Sequence, residues 1–336
     1  TAVWNCSSPP TKKTFNNFFA AGKPRFKAGF FIDLKKKRPS KKLLARHGEI
    51  CYILGMPQTE NGPIKALIEL LDGETGPRAE LLRQELERVM KEQPQRLHEV
   101  IEQDFHSSVP AALVTAMEEV CWDELAAACA RFTAKINPDL EEALAIETRF
   151  VNPAFIRADI AAELDALALT LRPLLANCTG PAEICNTLSR FFFRSQGFHV
   201  LPAAHDIKDV SFGRFLQKKQ GSALCMACLY AVLAARFGLD AGVVDMAGRV
   251  LACFAPQRGE EPIFADPSDS GKLLSLSDCR SYIDLRNLEW SWSFATPLSS
   301  RAVLRRFLGN MIFILNKLRD ERRLSYLRRY MDILKN

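Results

Sequence analysis

One stretch governs what this chain can fold into. Between Gly221 and Gly238, Cys225, Cys228, Leu229, Val232 and Leu233 recur at helical spacing in a strongly apolar run. A helix this apolar has to be covered, and Gly238 stands where a C-terminal glycine stop belongs. Short runs of strand character follow at 242–245, 249–254 and 263–265, with tight punctuation at Ala247-Gly248, 256–259 and 267–271. The order predicts one buried helix leaning on a small antiparallel sheet, an α+β core within a predominantly helical chain.

Helical stripes flank this core. Ile64, Leu67, Ile68, Leu70 and Leu71 form one, Leu81, Leu82, Leu86 and Val89 the next, then Leu97, Val100 and Ile101. Pro110 opens a helix over 111–120, and another is expected over 122–132. Together they predict a helical domain over 62–136, of the stacked-pair kind seen in HEAT-like repeats. Further helices are read at 140–149, 160–171 and 181–194. Two more close the chain, through Leu304, Phe307, Leu308, Met311, Ile312 and Leu315, and through Leu324, Leu327, Tyr330, Met331 and Leu334. The expected organisation is a tail at 1–48, the helical domain at 62–136, the core domain at 139–298 and a helical segment at 299–336.

Composition excludes some functions. The 336 residues are 48% hydrophobic and 25% charged, enough for sizeable cores. No apolar run is long enough to span a membrane, and the opening residues lack the apolar run and cleavage site of a secretory signal. Ten scattered cysteines form no disulfide framework, so a reducing, cytoplasmic home is expected. The net charge of +6 is uneven. Residues 1–50 carry twelve basic side chains against Asp33 and Glu49, which leaves the rest of the chain at −4. A solvated, disordered tail is the expected reading of 1–48. The functional alternative is a basic arm for nucleic acid, an anionic surface or organelle import, with nucleic-acid binding that falls steeply with salt.

The apolar helix also carries chemistry. A cysteine one turn into a helix feels unpaired N–H groups and the positive dipole end, which favour thiolate. It then needs a general base, and the base an orienting acceptor. Cys225 is the candidate nucleophile, and Asp266, in the Asp266-Pro267 turn, the candidate acceptor. Asp-Pro followed by Ser, Asp and Gly also suits an ordinary turn.

Residues 215–254 resemble the transglutaminase-like superfamily, and within it the bacterial SirB-type branch, which pairs that core with tetratricopeptide-like helical segments. The resemblance rests on Lys218-Lys219-Gln220-Gly221, Arg236-Phe237-Gly238-Leu239, Ala247-Gly248-Arg249 and Asp266-Pro267. It extends to 140–155 and to the Arg-rich helices from 301 onward, about the last three-fifths of the chain. It implies a papain/transglutaminase-like core with Cys225 at the nucleophile position. Arg249 falls where active members carry histidine. Arginine stays protonated and cannot relay a proton, so the resemblance implies a degenerate triad. His199 and His205, in the loop before the helix, are the candidates for a substitute base.

The pair Cys225 and Cys228 has Cys-x-x-Cys spacing, but no second ligand pair follows, so helix core is the expected role. Neither a metal site nor a cofactor is expected. Trp290 and Trp292, spaced by two, suit one face of a strand or the lip of a groove, and core packing is the expected role because aromatic burial dominates. The sequence therefore points first to a non-catalytic module that binds a protein or peptide, with Arg249, Trp290 and Trp292 as binding residues. A cysteine-dependent amide hydrolase or acyltransferase using Cys225, and nucleic-acid or anionic-surface binding through the basic arm, are the alternatives.

Overall fold

The computed structural model describes residues 62–71, 76–93, 96–97, 100–101, 110–153, 157–255 and 261–335. The basic arm at 1–48, the histidines at 47, 98 and 106 and the punctuation at 256–259 lie outside these residues. The fold is α+β and predominantly helical. No helix among the described residues is long and apolar enough to cross a membrane.

The chain divides into two units, Thr1–Val120 and Cys121–Asn336. In the first, α1 (Gly62–Leu71) and α2 (Pro77–Glu92) meet along Ile64, Leu67, Ile68, Leu71, Leu86 and Val89. Pro77 opens α2, where its missing N–H costs nothing. Leu113 and Ala116, early in α3 (Ala111–Ala134), complete this core. The sequence suggests two helices over 111–132. The structure has one, because neither glycine nor proline interrupts the segment.

The second unit is built around one helix. Its chain order is α4 (Leu140–Val151), α5 (Arg157–Leu175), α6 (Pro181–Arg190), a π-helical turn (Phe191–Ser195), β1 (His199–Val200), a 3-10 turn (Ile207–Val210), α7 (Phe212–Lys218), β2 (Gln220–Gly221) and α8 (Ala223–Arg236). Every residue of α8 from Leu224 to Ala234 is buried. The Ser222 side chain caps its start by accepting from the Cys225 N–H. Its end is a Schellman motif. Gly238 takes φ +70°, its N–H donates to Ala235 and that of Leu239 to Ala234.

The sheet is antiparallel in the order β3 (Ala241–Met246), β4 (Arg249–Phe254), β5 (Ile263–Asp266), β6 (Lys272–Leu274). Ala247 and Gly248 join β3 to β4 with φ of 48° and 94°, the two positive values a type I′ hairpin turn demands. Alternation then sorts the side chains. Val243, Ala252, Phe254 and Ala265 face α8. Val244, Met246, Leu251, Cys253 and Phe264 face the other way, where α9 (Leu276–Asp284) covers them with Leu276, Cys279 and Ile283. Neither β6 nor α9 was expected from the sequence. A 3-10 turn (Trp292–Phe294) leads to α10 (Ser300–Leu318) and α11 (Glu321–Ile333), which pack with α4 and the second half of α3 around Trp122.

A three-way junction ties α6, α8 and the β5–β6 turn together. Ser189 Oγ lies 2.7 Å from the Tyr230 hydroxyl and 2.9 Å from the Gly271 carbonyl. Gly271 takes φ +74°, and a Cβ there would run into the Tyr230 hydroxyl and lie 2.6 Å from Ser189 Oγ. Both backbone strain and a collision oppose any side chain. Gly271→Ala is expected to cost about 2–4 kcal/mol, read from the urea midpoint at unchanged slope.

Candidate functional site

Cys225 sits in the first turn of α8 and is fully buried. Its thiol donates to the Val210 carbonyl at 3.4 Å and accepts from Ser222 Oγ at 3.3 Å. Burial pushes this thiol well above its ordinary range, and the nearby Glu147 carboxyl pushes it further. The capping hydroxyl and the helix start act the other way, and desolvation wins. Cys228, on the same side of the helix, is also fully buried and raised by burial first, then by Cys225 and Glu147. His199 and His205 are exposed, and neither is among the partners of Cys225 Sγ.

Asp266 is fully buried at the end of β5. It accepts from Arg249 Nη2 and, at 2.9 Å, from the Ser268 N–H. The Arg249 guanidinium lies 5.1 Å from the centroid of the Tyr282 ring, on α9. Arg286 lies 5.1 Å from the same ring and donates to its hydroxyl at 2.7 Å. Strand parity agrees. Arg249 stands two and four residues from Leu251 and Cys253, and Asp266 two from Phe264, so all share the α9 face of the sheet. Removing Arg249 would leave a buried carboxylate unpaired, at about 3–5 kcal/mol.

The structure thus joins Arg249 to Asp266, and neither is among the hydrogen-bond or charge partners of Cys225. Helix geometry gives the reason. Arg236, eleven residues after Cys225, returns to nearly the same face of α8 and binds Glu141 of α4 at 2.5 Å and Asp165 of α5 at 2.8 Å. Tyr230, about 140° around the helix from Cys225, points instead to Ser189 and to Phe254 of the sheet. Cys225 therefore looks toward the α4 side. The first-turn position on the face of Tyr230 is Ala223, half-buried and without a nucleophile.

The segment from α5 into α10 matches the family described as the transglutaminase-like superfamily, over residues 158–309. Those residues form a transglutaminase-like domain. The curated proteins and the solved structures yield no match.

The outer face of the transglutaminase-like domain carries a cleft of about 460 Å³. Ala255, Pro262, Leu276, Trp292, Ala295 and Pro297 supply apolar walls, and Arg280, Thr296 and Glu261 polar ones. Trp290 and Trp292 meet edge to face beside it, with centroids 6.0 Å apart. The sequence favours core packing for this pair over a strand face or a groove lip, and the structure departs from that. Trp292 is in a 3-10 turn and 58% exposed, and Trp290 is half-buried with its indole N–H unpartnered. Arg280 and Tyr282 were missed because 275–284 was not recognised as a helix. Ser275-x-x-Asp278 was the available signal, and the two residues form a capping box.

Glu147 was also missed, since an acid within an amphipathic helix looks like a surface residue. It is fully buried and accepts from the Phe212 N–H at 2.7 Å, while Thr148 Oγ1 accepts from the Gly213 N–H at 3.0 Å. The two side chains thereby satisfy the start of α7 from a neighbouring helix. Burial raises the carboxyl to about 8, against the lowering effect of the hydrogen bonds it accepts from Phe212 and Thr148. A carboxyl raised on folding binds its proton more tightly in the native state. Its contribution is complete below the unfolded value and is lost as pH rises toward 8. Glu147→Gln should flatten the decline in stability between about pH 5 and 8, and at pH 8 should stabilise by roughly 1–3 kcal/mol, measured by urea unfolding across that range.

Proposed function

We propose that this chain is a non-catalytic transglutaminase-like protein that binds another protein or peptide on the outer, aromatic face of its sheet. The observation that carries the reading is the orientation of Cys225. The only described thiol in the first turn of α8 is sealed from solvent, raised in pKa and bonded to Val210 and Ser222 rather than to the Arg249–Asp266 pair. Acyl transfer needs a thiolate that substrate can reach and a base within hydrogen-bond distance, and Arg249 supplies no base. Arg249, Trp290 and Trp292 become binding residues in this reading, since all three border the α9 face.

The motifs at 218–221, 236–239 and 247–249 support assigning the chain to the SirB-type branch, with its flanking helices as tetratricopeptide-like scaffolding. A cytoplasmic setting accords with the free thiols of Cys129, Cys178, Cys185, Cys225, Cys228, Cys253 and Cys279.

The test is alkylation of the native protein over a pH series, read cysteine by cysteine by mass spectrometry, beside assays of peptide-amide hydrolysis and transamidation. Half-buried Cys178 should label readily and Cys225 only on unfolding, with no amide turnover. Rapid labelling of Cys225 near pH 6, or turnover abolished by Cys225→Ala, would make the protein a cysteine-dependent hydrolase or acyltransferase instead.

A further inference from the structure

We propose that the cleft on the outer face of the sheet takes the C-terminus of a peptide, with its free carboxylate on Arg280 and an apolar last side chain against Trp292, Leu276 and Pro297. The inference rests on the binding reading and names the ligand class.

Charge is the first support. The other guanidiniums bound to this sheet are neutralised, Arg249 by Asp266 and Arg306 by Asp245. Arg280 has no carboxylate within ion-pair distance among the described residues. Its guanidinium lies in the notch between two indoles, 5.4 Å from the Trp290 ring and 5.9 Å from that of Trp292. Stacking of this kind fixes the plane of the guanidinium and leaves its edge donors for an incoming anion. A carboxylate matches that edge with two parallel hydrogen bonds.

Shape is the second. At about 460 Å³ the cleft lies within the range of small-ligand sites, and most of its lining is apolar. A hydrated inorganic anion would leave those walls wet, whereas an apolar side chain attached to the carboxylate would cover them. Glu261 also borders the cleft, so a ligand with several negative charges would be repelled. One negative charge, an apolar body and N–H donors to offer Glu261 describe a peptide terminus better than a fatty acid, which has no N–H.

The experiment displays a library of N-terminally anchored random hexapeptides to the full chain, once with free C-termini and once as C-terminal amides. The best free acid is then titrated by calorimetry against the wild type, Arg280→Gln, Trp292→Ala and the control Lys272→Gln. Lys272 is an exposed residue of β6 outside the cleft. Free acids with an apolar last residue should be selected. Amidation or Arg280→Gln should each weaken binding about 10- to 100-fold, the value of a charge-assisted hydrogen-bonded contact, and Lys272→Gln should leave it unchanged. Amides that bind as well as acids, an Arg280→Gln variant that binds normally, a library with no binders, or octanoate binding more tightly than the best peptide would each overturn the proposal. Loss of this ligand class leaves the non-catalytic reading standing, and Cys225-dependent turnover would remove that reading whatever the peptides do.

Discussion

The second unit depends on the complete burial of α8. A helix apolar on every side has no solvent face, so layers must close over it from all directions. The sheet covers one side, and α4, α5, α6 and α7 cover the others. The ends then have to be closed without help from water. Ser222 does this at the start, and the Gly238 motif at the end also turns the chain directly into β3. A large side chain removed from such a helix leaves a cavity that cannot be rehydrated, and losses of about 2–5 kcal/mol per truncated leucine follow.

That burial decides the electrostatics of the thiol. The start of a helix favours a thiolate modestly, and taking an ion wholly out of water disfavours it more. Glu147 adds to the penalty because α4 places its carboxyl on the side to which Cys225 points. The first-turn position that suggests reactivity in the sequence is thus outweighed by burial and by an acid that only the fold brings near.

Legibility in the sequence followed the range of the forces involved. The helix, its glycine stop and the Ala247-Gly248 hairpin rest on local preferences, and their positions could be read to within a residue or so. The segment after Asp266 could not. Its strand β6 is three residues long, and α9 gains its identity from contacts with Leu251 and Cys253 across the sheet. The site was legible by residue type alone. Cys225, Arg249 and Asp266 stand out in the sequence, and alternation puts Arg249 on the side of Leu251 and Cys253. Which side of the sheet α8 would take is a tertiary outcome, and it separates the cysteine from the other two.

The Arg249–Asp266 pair changes what that corner of the fold does. A histidine there would gain and lose its charge near neutrality, and its grip on the buried carboxylate would loosen and tighten with the surrounding medium. A guanidinium instead offers that carboxylate a fixed planar set of donors. Flanked by Tyr282 on one side and the β5–β6 turn on the other, the pair becomes a permanent strut. What resembles a relic of catalysis then serves as a brace between β4 and the end of β5 on the outer face of the sheet.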